Sequence, residues 1–243
     1  MKRLLRTAFA GGAAVGLTGG FSAAVAALSF VDEQAPDPLL TVWARSILRA
    51  AGVRHTVEGL ENLPAGNFVL VVNHLSHFDA LILFAHIERH MRFVAKRQLR
   101  RIPLFGYALE RAGNIFVDRT GSGGDQSTLR DAVQAVRERV SVVFFAEGTR
   151  SDDGVLRPFK KGAAIMALEA QVPLVPAAIA GTHLILPKGS VTIHPRPAAL
   201  VIGAPIETQG LFVDARDALT QRAHDDVASL LERGNALVRD LAR

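Results

Sequence analysis

The sequence predicts an α/β protein: a largely parallel central sheet flanked by helices, with an N-terminal membrane-anchoring helical segment. Three observations predict it. Beyond Gly52, short apolar runs alternate with stretches of helical periodicity. Runs such as Val140–Phe145 are continuously apolar, as strands covered on both faces are. And residues 7–31 are 25 consecutive uncharged positions that follow Lys2, Arg3 and Arg6.

That first stretch would be ~37 Å long as a helix, enough for a ~30 Å hydrocarbon core. Eight alanines and five glycines make it only mildly apolar. A membrane span, a half-inserted anchor, and a signal peptide cleaved near Ala24-Val25-Ala26 all fit. Gly12, Gly16 and Gly20 form a small-residue face that another helix could approach, or are glycines tolerated in a lipid-facing segment. After the Pro36-Asp37-Pro38 break, Leu39, Val42, Trp43, Ser46 and Ile47 share one face of an amphipathic helix with arginines on another side. Residues 1–51 therefore read as a helical hairpin that anchors the protein to a bilayer, and 52–243 as the folded domain.

In the remainder, strands are expected at Phe68–Val72, Arg92–Ala95, Ile115–Val117, Val140–Ala146, Leu174–Ala180 and Ala199–Ile202. Helices are expected at Asp79–His90, Leu104–Arg111, Ser127–Arg139, Lys161–Ala170 and Ala218–Ala242. The third is the cleanest: Leu129, Val133, Val136 and Val140 recur at helical spacing, and arginines crowd its end.

Composition narrows the function classes. The chain has 243 residues, 49% hydrophobic and 21% charged, which excludes disorder. It has no cysteine, so disulfides, thiol nucleophiles and thiolate metal sites are excluded. Three of its 28 basic residues precede the apolar stretch, leaving 25 against 23 acidic ones. That balance argues against a nucleic-acid partner.

Two strand ends carry the chemistry. Val71-Val72-Asn73-His74 through Asp79 is an apolar run that turns polar where a helix begins, the place α/β sheets put their sites. Asp79 can reach back to one imidazole nitrogen of His74 and leave the other free as a general base. Phe144-Phe145-Ala146-Glu147-Gly148-Thr149-Arg150-Ser151 is a second such end. Gly148 permits close backbone approach, Arg150 can fork onto phosphate oxygens, and Thr149 or Ser151 adds a hydroxyl. Glu147 would repel a phosphate, so it either orients Arg150 or accepts from a substrate hydroxyl; alone, the segment reads as a turn with a Glu–Arg pair. Two further segments are Gly113-Asn114-Ile115-Phe116-Val117-Asp118-Arg119 and the proline-marked strand Val172–Ala177, which can pack or wall an acyl chain.

In order and spacing these four segments resemble the glycerolipid acyltransferase family, which includes the 1-acyl-sn-glycerol-3-phosphate acyltransferases. The resemblance rests on Asn73, His74 and Asp79; on Gly113 to Arg119; on Phe145 to Ser151, with Ala146 where the family has proline; and on Val172 to Pro176. Val94-Ala95-Lys96, Ile102 to Gly106 and Phe159 to Gly162 also look familial, and about residues 55 to 205 are covered. Ala146 removes a rigid residue ahead of Glu147, which affects the posture of that loop.

The resemblance implies acyl transfer from acyl-CoA or acyl-carrier protein to the sn-2 hydroxyl of lysophosphatidic acid or a similar lysolipid, without a cofactor or metal. His74 would be the base and Asp79 its orienting partner, with no acyl-enzyme and no nucleophilic role for Ser76. Arg119, Arg150 and Lys96 would hold the acceptor phosphate, with Glu147, Gly148 and Thr149 shaping the site. Membrane lipids would be partners. Because both donors are cytoplasmic, the domain is expected at the cytoplasmic membrane face.

Rival readings are a lysolipid or glycerol 3-phosphate acceptor of another kind, a catalytically silent lipid-binding protein, and a serine hydrolase built on Gly121-Ser122-Gly123. His86 and His90, four apart, could pair on a metal but read better as a solvated helix end. The tract Arg92, Lys96, Arg97, Arg100 and Arg101, interleaved with Phe93, Ile102 and Leu104, suits anionic headgroups better than nucleic acid.

Overall fold

Continuous apolar runs become the interior strands, and the periodic stretches between them become helices. The computed structural model describes residues 2–32, 34–117 and 126–243. In chain order these carry α1 (Lys2–Leu28), α2 (Asp37–Ala51), β1 (His55–Glu58), β2 (Val69–Val72), α3 (Phe78–His86), β3 (Met91–Lys96), α4 (Phe105–Arg111) and β4 (Ile115–Val117). There follow α5 (Gln126–Glu138), β5 (Ser141–Phe145), α6 (Gly162–Ala170), β6 (Leu174–Ala180), α7 (Thr182–Ile185), β7 (Ala198–Ile202) and α8 (Arg216–Ala242). Among the described residues the strands form one seven-stranded sheet in the order β1-β7-β6-β2-β5-β3-β4. Neighbours run parallel except β6 and β7.

Strand β2 lies at the centre, buried at every position between β6 and β5. Its Leu70 and Val72 join the layer formed with α2 and α3, while Val69 and Val71 join the layer formed with α5, α6 and α8. Burial on both faces is why this strand reads as an unbroken apolar run. All six expected strands are present, β4 and β6 at the expected bounds and the others with ends shifted by one residue. β1 was not expected: His-Thr-Val-Glu holds three polar residues in four and is half-buried throughout at the sheet edge. Helix α3 stops at His86 because buried Ile87 turns extended (φ −95°, ψ 96°) and His90 is held by Asp37 at 2.7 Å.

The N-terminal helices pack on the domain. Val25 and Ala26 of α1 meet Ala108 and Ala112 of α4, with Leu39 and Leu40 alongside. Trp43 Nε1 donates to Thr18 Oγ1 at 3.3 Å. Of the apolar face expected on α2, Ile47 turns into the core with Ala44, Leu48 and Ala51, whereas Val42 stays exposed. Among the described residues no helix is long and apolar enough to cross a membrane. Helix α1 is 27 residues long. At Gly12, Gly16 and Gly20 a Cβ would meet nothing within 4 Å, so among the described residues no neighbour packs against that face.

Candidate active site

Strands β2 and β5 end level, with Val72 paired to Phe145, so the two polar segments leave the sheet side by side. Asn73 makes the first turn possible. Fully buried, its Nδ2 donates to the Ile179 carbonyl at 2.9 Å and its Oδ1 accepts from the Ile179 N–H at 2.8 Å. The side chain thus continues the ladder to β6 and frees the main chain to turn away at His74.

Asp79, in the first turn of α3, is wholly buried and saturated with donors. Oδ2 accepts from His74 Nδ1 at 2.8 Å, from the Leu75 N–H at 2.6 Å and from the Ser76 N–H at 2.9 Å. Oδ1 accepts from the Thr182 hydroxyl. A carboxylate so surrounded stays an acceptor, which places the His74 proton on Nδ1 and leaves Nε2 with its lone pair. The imidazole stacks on Phe145, centroids 4.0 Å apart, with its side chain 18% exposed. It is therefore held on two sides and open at its edge. Ser76 donates its hydroxyl to the Leu186 carbonyl at 2.9 Å and is buried, a structural placement.

The second segment closes on the first. Glu147 is buried, its Oε1 accepting from the His74 N–H at 2.6 Å and its Oε2 from the Arg157 N–H at 3.2 Å. Burial pushes its carboxyl up to about 7; those two N–H groups pull the other way, and Asp79 adds to the rise. The Ser151 N–H donates to the His74 carbonyl at 2.8 Å. Gly148 has φ +74°, and a Cβ there would stand 2.8 Å from Lys160 Cε, so both the turn and the space require glycine. Thr149 is exposed and Arg150 half-exposed at the mouth of the site. There Arg150 is near enough to His77 to depress its pKa, an effect secondary to burial.

The structure brings together His74, Asp79, Glu147, Gly148, Thr149 and Arg150. Lys96 ends β3, at the same edge of the sheet but separated from β2 by β5. Asp118 and Arg119 lie outside the described residues, as does Gly121-Ser122-Gly123. His86 and His90 go separate ways, His86 Nε2 to His55 Nδ1 at 2.8 Å and His90 to Asp37. Sequence reasoning missed Thr182 and the role of Asn73. Thr182 lies two residues past the end of β6, after Gly181, and the rule that polar residues at strand ends build the site would have found it.

The chain is similar to known proteins. The family model described as Acyltransferase matches residues 54–180. A Limnanthes douglasii protein named 1-acyl-sn-glycerol-3-phosphate acyltransferase is 32% identical over 188 residues, covering 76% of this chain and 64% of its own length. A chloroplastic Brassica napus protein of the same name is 38% identical over 175 residues, covering 71% of this chain and 49% of its own. The chain thus spans under two thirds of these relatives. The crystal structure of the 1-acyl-sn-glycerophosphate (LPA) acyltransferase PlsC from Thermotoga maritima superposes with a TM-score of 0.80 at 26% identity, covering 99% of this chain and 96% of that one. With more than half of its residues matched by the family model, this chain belongs to the acyltransferase family.

Proposed function

We propose that the protein transfers an acyl group from an acyl thioester to the sn-2 hydroxyl of 1-acyl-sn-glycerol 3-phosphate, giving phosphatidic acid. The observation that carries this reading is the His74–Asp79 pair, with Nδ1 fixed at 2.8 Å by a fully buried carboxylate and Nε2 left to act as a base. The names of the relatives supply the acceptor.

In this reading Nε2 takes the proton of the sn-2 hydroxyl as its oxygen attacks the thioester carbonyl. The tetrahedral intermediate collapses, the C–S bond breaks, and the new ester forms. The imidazolium proton then goes to the departing thiolate, so base and proton balance are restored. The thioester is already an activated donor, so the chemistry draws on no cofactor. Holding two substrates in line supplies much of the acceleration. Arg150, Lys96 and Arg119 hold the acceptor phosphate as charged forks and point charges, and exposed Thr149 lies at the mouth with Gly148 buried behind it.

Residues 1–51 form the membrane-attaching unit, entering one leaflet from the cytoplasmic side where acyl-CoA and acyl-carrier protein are found. Exposed Leu28, Phe30, Val31 and Val42 support it. So do exposed Ile102, Leu104 and Tyr107 beside Arg101. Leu104 sits at φ 59°, ψ −52° in a γ-turn closed by Phe105 N–H to Pro103 C=O at 2.6 Å, a strained turn that points a leucine at solvent.

The test is thiol release from acyl-CoA and acyl-carrier protein with lysophosphatidic acid, other lysolipids and glycerol 3-phosphate, beside a His74→Ala variant. Release that requires lysophosphatidic acid and His74 is the expected result. Preference for another acceptor changes the substrate, and silence with every pair overturns the reading.

A further inference from the structure

The second polar segment closes on the backbone of His74. The His74 N–H donates to Glu147 Oε1 at 2.6 Å, and the His74 carbonyl accepts from the Ser151 N–H at 2.8 Å. The ring of the same residue lies on Phe145 at 4.0 Å. One stretch of seven residues, Phe145 to Ser151, therefore grips both main-chain polar groups of His74 and one face of its imidazole. The second oxygen of Glu147 is also taken, by the Arg157 N–H at 3.2 Å. Arg157 lies beyond the 151–156 excursion, and the Lys160 N–H returns to the Ala146 carbonyl at 2.8 Å. Each Glu147 oxygen thus bridges chain segments that would otherwise leave the sheet separately.

We propose that Glu147 is a positioning residue that clamps the backbone of His74 to the β5 exit, rather than a ligand for the acceptor. The proposal rests on His74 being the base of the reaction given above. Two physical points carry it. Glu147 is 6% exposed and both of its oxygens already accept from main-chain N–H groups, so binding a substrate hydroxyl would compete with those bonds. And Asp79, which bonds the ring of His74 at Nδ1 and the N–H groups of Leu75 and Ser76, bonds neither main-chain polar group of His74 itself. Among the described residues those are held only from the β5 exit, by Glu147 and by the Ser151 N–H. A shift of about 1 Å at a reacting nitrogen costs about 100-fold in rate. The carboxylate is needed because it accepts at both ends; a carboxamide would turn an N–H2 toward one of the two backbone N–H groups.

The test separates clamp from ligand by kinetics with lysophosphatidic acid as acceptor. Glu147→Gln is expected to lower kcat about 10- to 100-fold and to leave KM for lysophosphatidic acid within about twofold. Glu147→Asp keeps both acceptor oxygens on a shorter arm, and its kcat should fall between wild type and Glu147→Gln with KM again unchanged. In a His74→Ala background, adding Glu147→Gln should cost nothing further, because the residue acts through the histidine. A raised KM with kcat intact, or a full additional loss in the His74→Ala background, overturns the clamp. Circular dichroism reports folding; should Glu147→Gln fail to fold, kcat and KM of Glu147→Asp decide. A wild-type chain silent with every acceptor removes the functional reading itself, whereas an active wild type with an unaltered Glu147→Gln variant removes only the clamp.

Discussion

Thr182 and Asp79 stand 103 residues apart in the chain, and the hydroxyl of one donates to Oδ1 of the other. This contact joins the end of β6 to the first turn of α3. Oδ2 of Asp79 is already taken by His74, Leu75 and Ser76. Thr182→Val keeps the shape and removes the donor, leaving a buried charged oxygen short of a partner. The expected cost is about 1–3 kcal/mol of stability, read as a lower thermal midpoint. Turnover should fall as well, because the carboxylate gains freedom to rotate away from Nδ1. A variant with wild-type midpoint and turnover would show that Thr182 contributes nothing to holding Asp79.

His74→Ala should lower turnover at least ~100-fold, the low end for a general base, while the fold survives. Asp79→Asn can place its N–H2 against the Thr182 hydroxyl, which turns to accept, and keep its oxygen on the Leu75 and Ser76 N–H groups. The fold should therefore survive, while the negative charge that stabilises the imidazolium of His74 is lost and turnover falls. Near-normal turnover in either variant would remove the pair from the chemistry.

The placement of His74 and Asp79 was legible in the sequence because both lie within one short turn, where local spacing governs geometry. The strands were legible for a similar reason: sheet burial on two faces writes continuous apolar runs into β2, β5 and β6. What escaped notice depends on long-range register. Asn73 reads as part of a motif, yet its work is to pair with Ile179, which only the β2–β6 alignment brings opposite it. From the sequence, Glu147 reads as a partner for Arg150, three residues on, or as an acceptor for a substrate hydroxyl. The level ends of β2 and β5 instead direct its carboxylate at the His74 backbone. The amphipathic face of α2 was visible, but which of its residues would turn inward depends on where α3 and the sheet lie.

Arg150→Ala should impair use of the phosphorylated acceptor above all. Losing a charge-assisted hydrogen bond to phosphate is worth about 1.5–3 kcal/mol, so KM for lysophosphatidic acid should rise about 10- to 100-fold. The KM for the thioester should stay close to wild type. Lys188 donates to the Arg150 carbonyl at 3.1 Å, so the main chain at 150 has support that does not depend on the guanidinium. An unchanged acceptor KM would place the phosphate elsewhere.

Away from the site, His86 and His55 touch at 2.8 Å between α3 and β1. Burial first, then the neighbouring His55 and Arg45, depresses the His86 pKa to about 4, and burial with Arg45 lowers that of His55. A base whose folded pKa lies below its unfolded value of about 6.5 binds fewer protons folded than unfolded. The stability this pair contributes is therefore present above pH ~6.5 and is lost as pH falls toward ~4. His86→Gln keeps an amide able to bond the His55 ring but cannot take up a proton. The wild type should lose thermal stability between pH 7 and pH 5 more steeply than this variant. Parallel midpoint-versus-pH curves would show that acid sensitivity arises elsewhere. A flatter curve in the variant would locate it at the contact between the end of α3 and the edge strand.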